Sequence, residues 1–456
     1  MVATNDTIAA IATPPGRGGV GIIRLSGAAA PTIAKQLLDT ESCSHDLKAR
    51  EATLCSFIDE DGALIDSGIL IYYPQPASYT GEHVVELQGH GGRVVMSMLL
   101  DRVIALGARQ ARPGEFTERA FINNKIDLVQ AEAVAGLIDS VSSQAARSAI
   151  RSLEGEFSHK INNLLQRLIN LRMFVESVLD FPEEEIDFIQ GAEVKEKLSS
   201  CIEDVDNILA KARQGAMLDE GLRLAIVGRP NVGKSSLLNR LAKREAAIVS
   251  ATPGTTRDIV DENILVGGAP LNVLDTAGIR ESRDDIEEEG IRRALNAASQ
   301  ADIILLLLEY DEDIGADEQR VLDACSDNVK IVVVRNKIDL AENKQELLDK
   351  NKNETEVFLS AKTGEGIDDL VHLLKTVMGL SETGEDVYMA RTRHLNALLN
   401  TQEQLTSGLQ HLKNKNTLEL LAEDLRLAQE SLGTITGNFV ADDLLSEIFS
   451  NFCIGK

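Results

Sequence analysis

Basic residues are scarce relative to acidic ones: 46 Lys and Arg stand against 72 Asp and Glu, a formal net charge of −26. That imbalance favours solubility and excludes broad non-specific binding to nucleic acid, so any nucleic-acid contact must be a local basic site. Cysteine is sparse, scattered and odd in number (Cys43, Cys55, Cys201, Cys325, Cys453), with no C-x-x-C pair. This argues against a disulfide framework or a thiolate zinc site and fits a reducing cytosol. Long apolar runs are missing too. The longest, Ile303–Leu308, is far too short to cross a bilayer, and the first residues lack a basic start followed by an apolar core. The expectation is a soluble, cytoplasmic protein with no membrane segment. Tryptophan is absent and aromatics reach only 4%, yet 43% hydrophobic and 26% charged residues are ordinary for a globular chain. A length of 456 residues allows two or three domains.

The strongest positive signal is Leu222–Leu238, LRLAIVGRPNVGKSSLL. A short apolar run bounded by Gly228 predicts a buried strand, and a helix is predicted from Ser235 onward. Gly228, Gly233, Lys234 and Ser235 fill the four fixed places of G-x-x-x-x-G-K-[ST]. In such a loop the backbone amides from Asn231 and Val232 to Ser236 converge on phosphate oxygens at a helix N-terminus. Lys234 adds charge and Ser235 offers a hydroxyl to Mg2+.

Around this loop the chain falls into segments. Residues 1–120 mix β-rich runs (Val20–Leu25, Ile69–Tyr73, His83–Leu87) with turn-rich stretches, which predicts an α+β domain. Residues 121–217 are helical. Apolar positions from Ile150 through Phe157, Leu164 and Leu171 to Val178 lay one continuous stripe along a long helix, which Pro182 should end or kink. Helical spacing returns over 381–456, from Leu395 to Leu432, so the two helical blocks are expected to pack as one discontinuous domain with residues 218–380 inserted between them. The insert alternates helical stretches with strands at Arg223–Val227, Leu271–Leu274, Ile303–Leu308, Ile331–Val334 and Val357–Leu359. That is the rhythm of a mainly parallel sheet, whose ligands bind at the carboxyl ends of the strands. The fold class expected is multidomain, α/β and α.

Further motifs follow those strands. Asp275, Thr276, Ala277 and Gly278 (DTAG) can serve Mg2+ and a γ-phosphate, and Thr256 in TPGTTRD can complete the Mg2+ shell. Asn336, Lys337, Ile338 and Asp339 (NKID) end an apolar strand. There Asp339 can accept hydrogen bonds from the N1 and 2-amino groups of guanine, a pairing adenine lacks. Ser360, Ala361 and Lys362 (SAK) would close the base pocket. The order of these motifs predicts a Ras-like P-loop domain binding GTP and GDP.

GRPNVGKSS, TPGTTRD, DTAGIRE, NKID and SAK resemble the translation-factor-related GTPases of the tRNA-modification and ribosome-assembly groups (TrmE-Era-EngA-like). The nearest resemblance is to the tRNA uridine-modification GTPase family MnmE, also called TrmE. It extends to ATPPGRGGVGIIRLSG, SYTGEHVVELQGHGG, RPGEFTERAFINNKIDLVQAEAV and the terminus ending FCIGK.

The resemblance implies hydrolysis without a water-orienting Gln, since Ile279 follows DTAG; the family uses a glutamate, matched here by Glu287. It implies K+ bound by Asn231 of the phosphate loop and by Ser250, Thr252 and Thr255 of the following loop, which includes Ala251, Pro253 and Gly254, when the G domains of a homodimer meet. It implies an N-terminal dimerisation domain binding 5-formyltetrahydrofolate or a related folate through Arg24, Glu82 and Lys125. Cys453 and Lys456 of the terminus would reach toward that pocket. From the residues alone, a buried inert Cys453 is the commoner outcome. The partners implied are tRNA and an FAD-containing subunit of the MnmG (GidA) type, in a heterotetramer or larger complex. The activity would add aminomethyl or carboxymethylaminomethyl groups at C5 of wobble uridine. A regulatory GTPase of ribosome assembly is the alternative that the G motifs alone permit.

Overall fold

The computed structural model describes residues 6–39, 47–180, 188–244, 262–274, 287–325, 329–349, 355–378, 387–412, 418–438, 442–450 and 452–455. The chain forms two compact units, one of Met1–Ala135 with Glu430–Lys456 and the other of Gly136–Gln429.

The first unit is built on a six-stranded sheet of β1 (Ile8–Ile11), β2 (Gly18–Ser26), β3 (Thr53–Ile58), β4 (Leu64–Tyr73), β5 (Val84–Gly91) and β6 (Arg109–Gln110), in the order β3-β4-β5-β2-β1-β6. Every pair is antiparallel except β1 with β6. Side chains alternate faces with period two. Ile23, Leu25, Phe57, Leu70 and Leu87 enter a core with the helices Ala30–Leu37 and Arg93–Ala105, while Arg24 and Ser26 stand on the opposite face. There Arg24 is in register with Glu86 of β5. The chain's far end returns to this unit. Leu445, Ile448, Phe449 and Phe452, in and after the helix Asp442–Ser450, pack with Leu128 and Ala131. Cys55, buried in β3, is disulfide-bonded, where the scatter of cysteines predicts no disulfide framework.

The second unit holds the other sheet: β7 (Leu222–Val227), β8 (Glu262–Val266), β9 (Ala269–Val273), β10 (Ile303–Glu309), β11 (Lys330–Asn336) and β12 (Glu356–Phe358), ordered β12-β11-β10-β7-β9-β8. All five expected strands are there and run parallel. The sixth, β8, is antiparallel to β9 across a two-residue turn in which Gly267 and Gly268 both have left-handed φ, the conformation a tight hairpin demands. Central β10 is all Ile and Leu from Ile303 to Leu308, each at most 1% exposed. Burial of each such side chain contributes about 1.5–3 kcal/mol.

The long apolar stripe is not one helix. Helices Ser143–Leu153 and Glu156–Asp180 meet at Gly155, whose φ of +91° breaks the helical path. The second ends at Asp180, and Pro182 lies outside the described residues. Helix Phe188–Asp219 follows. Its Asp206 accepts from Gln402 of helix Thr392–His411, and Arg172 donates to Gln429 at 3.2 Å, so the helical blocks before and after the insert touch directly.

Candidate functional site

The phosphate loop runs from β7 into the helix Lys234–Arg244. Its shape depends on left-handed backbone at Gly228, Asn231 and Gly233, with φ of +153°, +63° and +110°. Gly233 is also forced by contact, because a Cβ there would lie 2.2 Å from Asn336 Nδ2. Lys234 Nζ donates to the carbonyls of Gly228 at 2.6 Å and Arg229 at 2.9 Å, and burial pushes its ammonium below the usual lysine range. Asn231 and Ser236 are exposed, Val232 is buried, and Ser235 is half-buried.

Three loops that are distant in sequence meet here because parallel strands end side by side. Glu309 at the end of β10 pairs in register with Asn336 at the end of β11. Asn336, 3% exposed, donates to the Val232 carbonyl at 2.8 Å and accepts from the Ala361 amide at 2.9 Å. It thereby ties GRPNVGKS to SAK. Arg240 fastens the same two regions, donating to the Ala361 carbonyl at 3.2 Å and to the Lys362 carbonyl. Ser360 donates to Asp339 Oδ1 at 2.6 Å, fixing the carboxylate expected to meet guanine, and accepts from the Thr363 amide at 3.2 Å. Ile338 is buried with its amide on the Leu359 carbonyl, and left-handed Lys337 is ion-paired to Glu309.

Ser250, Ala251, Thr252, Pro253, Gly254, Thr255 and Thr256 lie outside the described residues, as do Asp275, Thr276, Ala277, Gly278, Ile279 and Lys456. Glu287 opens the helix Glu287–Gln300, and its side chain is likewise outside the description.

In the first unit, Arg24, Glu82 and Lys125 converge on one loop, 75–82. The Arg24 guanidinium lies 5.7 Å from the centre of the Tyr79 ring and 5.9 Å from that of Phe116, and it pairs with Glu86 at 2.9 Å. Glu82 accepts from Ser26 at 2.7 Å and from the buried Arg119 at 3.1 Å. Lys125 Nζ donates to the Pro76 carbonyl at 3.0 Å. The terminus comes to the same place. The Cys453 carbonyl accepts from the Gly114 amide at 3.4 Å, and Gly455 offers its carbonyl to Arg24 Nη1 at 3.5 Å. Cys453 is exposed with a free thiol, not the buried cysteine expected from the residues alone.

Sequence reasoning passed over Arg229, Arg240 and Tyr79. The first two lie inside or one turn beyond the phosphate motif, and that proximity was the available signal.

A mainly parallel sheet with a phosphate loop after β7, joined to NKID and SAK by direct hydrogen bonds, defines a nucleotide-binding protein of the P-loop GTPase class. The family model for the MnmE helical domain matches residues 128–453, and that for the GTP-binding protein TrmE N-terminus matches residues 7–125. Proteins named tRNA modification GTPase MnmE align along almost the whole chain. That of Hydrogenovibrio crunogenus is 52% identical, covering 99% of each chain; that of Nitrosomonas europaea is 50% identical, covering 99% of this chain and 100% of its own. Among solved structures, Era with MgGDPNP and a piece of 16S ribosomal RNA is 27% identical over 40% of this chain and 66% of that chain, at a TM-score of 0.25. The chain belongs to the tRNA modification GTPase MnmE family.

Proposed function

We propose that this chain is the GTP-hydrolysing subunit of a system that adds aminomethyl or carboxymethylaminomethyl groups to C5 of the tRNA wobble uridine. The observation that carries the reading is Asn336 bonded to both the phosphate loop and the SAK loop, in a chain of the tRNA modification GTPase family. In this reading Asp339, held by Ser360, receives the N1 and 2-amino groups of guanine, and Lys234 neutralises phosphate. Ser235, Thr256 and Asp275 would serve Mg2+.

Hydrolysis would belong to a homodimer. Asn231, with Ser250, Thr252 and Thr255, would hold K+, which supplies charge where a guanidinium acts in other GTPases, and Glu287 would orient water. The exposed, left-handed position of Asn231 suits an outward-facing ligand. The segments would be 1–120 for folate and dimerisation, 121–217 and 381–456 for the helical domain, and 218–380 for the G domain.

The residues around loop 75–82 fit a ring-bearing anion: an aromatic face at Tyr79, a guanidinium at Arg24 and a carboxylate at Glu82. A folate of the 5-formyltetrahydrofolate type would be held there and would supply the one-carbon unit. Cys453 and Lys456 would act beside it. An FAD-containing MnmG-type subunit would carry the redox step in the cytoplasm, with tRNA as substrate.

GTP turnover by the purified chain, measured in KCl and in NaCl, tests the site. Hydrolysis at least about tenfold faster in KCl is expected if the cation replaces an arginine. Equal rates would remove K+ from the account, and no GTP turnover in either salt would remove the GTPase reading.

A further inference from the structure

One charged pair reaches the phosphate loop from the side. Arg229, which follows Gly228, donates from Nε to Glu318 Oε1 at 3.1 Å and from Nη1 to Glu312 Oε1 at 3.4 Å. Glu318 sits on helix Ala316–Asp323 and is only 4% exposed, and its Oε2 has no hydrogen-bond partner among the described residues. Arg229 is thus the cation on which this buried carboxylate depends, and losing it would strand a buried charge. The fit is close. A Cβ at Gly315 would stand 2.3 Å from Arg229 Nη2 and 2.6 Å from Glu318 Oε2.

The main chain of Arg229 belongs to the loop's own network, its carbonyl accepting from Lys234 Nζ at 2.9 Å and from the Val232 amide at 3.5 Å. The acidic segment that holds the Arg229 side chain is itself fastened on the NKID side. Glu309 pairs with Lys337, and Arg335 Nη1 donates to the Glu312 carbonyl at 2.5 Å. One stretch after β10 therefore touches both the phosphate loop and the strand that carries NKID.

We infer that Arg229 and Glu318 form a positioning pair that holds the phosphate loop in its ligand-binding shape and so sets how long a guanine nucleotide stays bound. This rests on the GTPase reading and adds to it a determinant outside the nucleotide's own contacts. Nε serves Glu318 while Nη1 serves Glu312, two carboxylates that the single point charge of a lysine cannot hold in the same geometry.

The test is release of a fluorescent GDP analogue from the full chain, chased with excess GDP, alongside GTPase kinetics. Arg229→Ala and Glu318→Gln are expected to release it about tenfold faster or more, raising KM for GTP while kcat stays within about twofold. The double variant should be no faster than about twofold beyond Arg229→Ala alone, because removing Arg229 already removes whatever Glu318 contributes to the loop. Arg229→Lys should recover part of the loss. Release within about twofold of the parent in Arg229→Ala and Glu318→Gln, or single effects that multiply in the double variant, would overturn the inference. Should Glu318→Gln fail to fold, Arg229→Ala and Arg229→Lys decide it alone. A parent chain that binds no guanine nucleotide would instead bring down the GTPase reading and this inference with it.

Discussion

Asn336 carries more of the site than a base-recognition motif announces. Its two hydrogen bonds, at 2.8 and 2.9 Å, satisfy a carbonyl of the phosphate loop and an amide of the SAK loop in a buried position. Alanine there would leave both groups unpaired, at about 1–3 kcal/mol each. Asn336→Ala is therefore expected to lower the melting temperature by several degrees and to weaken guanine-nucleotide affinity about tenfold or more, checked by thermal unfolding and fluorescence titration. Unchanged values would remove the bridge from the account. NKID was legible because its residues are contiguous. The bridge was not, since it depends on Val232, 104 positions away, and Ala361, 25 positions away. Gly233 shows the same division. The motif demands the glycine, but the close approach of Asn336 Nδ2 that forbids a side chain is visible only in three dimensions. Arg229 and Arg240 were hidden for a like reason: a long flexible cation can reach many partners, and the sequence names none.

At the scale of elements, apolar runs announced the five parallel strands, because a strand buried on both faces must be apolar throughout. Edge strand β8 escaped: ENILV carries Glu262 and Asn263, and the glycine pair that turns it back was not read as a hairpin. The helical stripe from Ile150 to Val178 misled because a break of two residues at Glu154 and Gly155 hardly disturbs spacing at threes and fours. In the first unit, helix Glu115–Ile122 is anchored by its first residue. Glu115, 2% exposed, accepts from Arg109 at 2.6 Å, the Arg112 amide at 2.8 Å and Arg119 at 3.2 Å. Burial pushes its carboxyl up, but these donors outweigh burial and hold it below the ordinary range. A carboxyl depressed in the folded state contributes stability that is present above its unfolded value, about 4.3, and is lost as pH falls through the folded one. Denaturant midpoints of the parent should therefore drop as pH falls below about 4.3, and Glu115→Gln should be less stable at neutral pH with a flatter dependence. An identical acid slope in the two proteins would show that Glu115 contributes nothing to it.

For the whole molecule, two candidate sites lie in different compact units, a guanine-nucleotide site beside β7 and a ring-and-anion cluster around Arg24 and the Cys453 terminus. With a net charge of −26 the chain has no broad cationic footprint for RNA, so any contact with tRNA must be a local basic site. Membership of the tRNA modification GTPase family accounts for the guanine-nucleotide site. The measurement that tests this most directly is nucleoside analysis of tRNA from cells lacking the chain, with and without a restored copy. The account predicts that aminomethyl and carboxymethylaminomethyl wobble uridines disappear in its absence and return with the copy. Normal wobble uridines in the lacking cells would contradict it, leaving a GTPase whose work lies elsewhere, as in ribosome assembly.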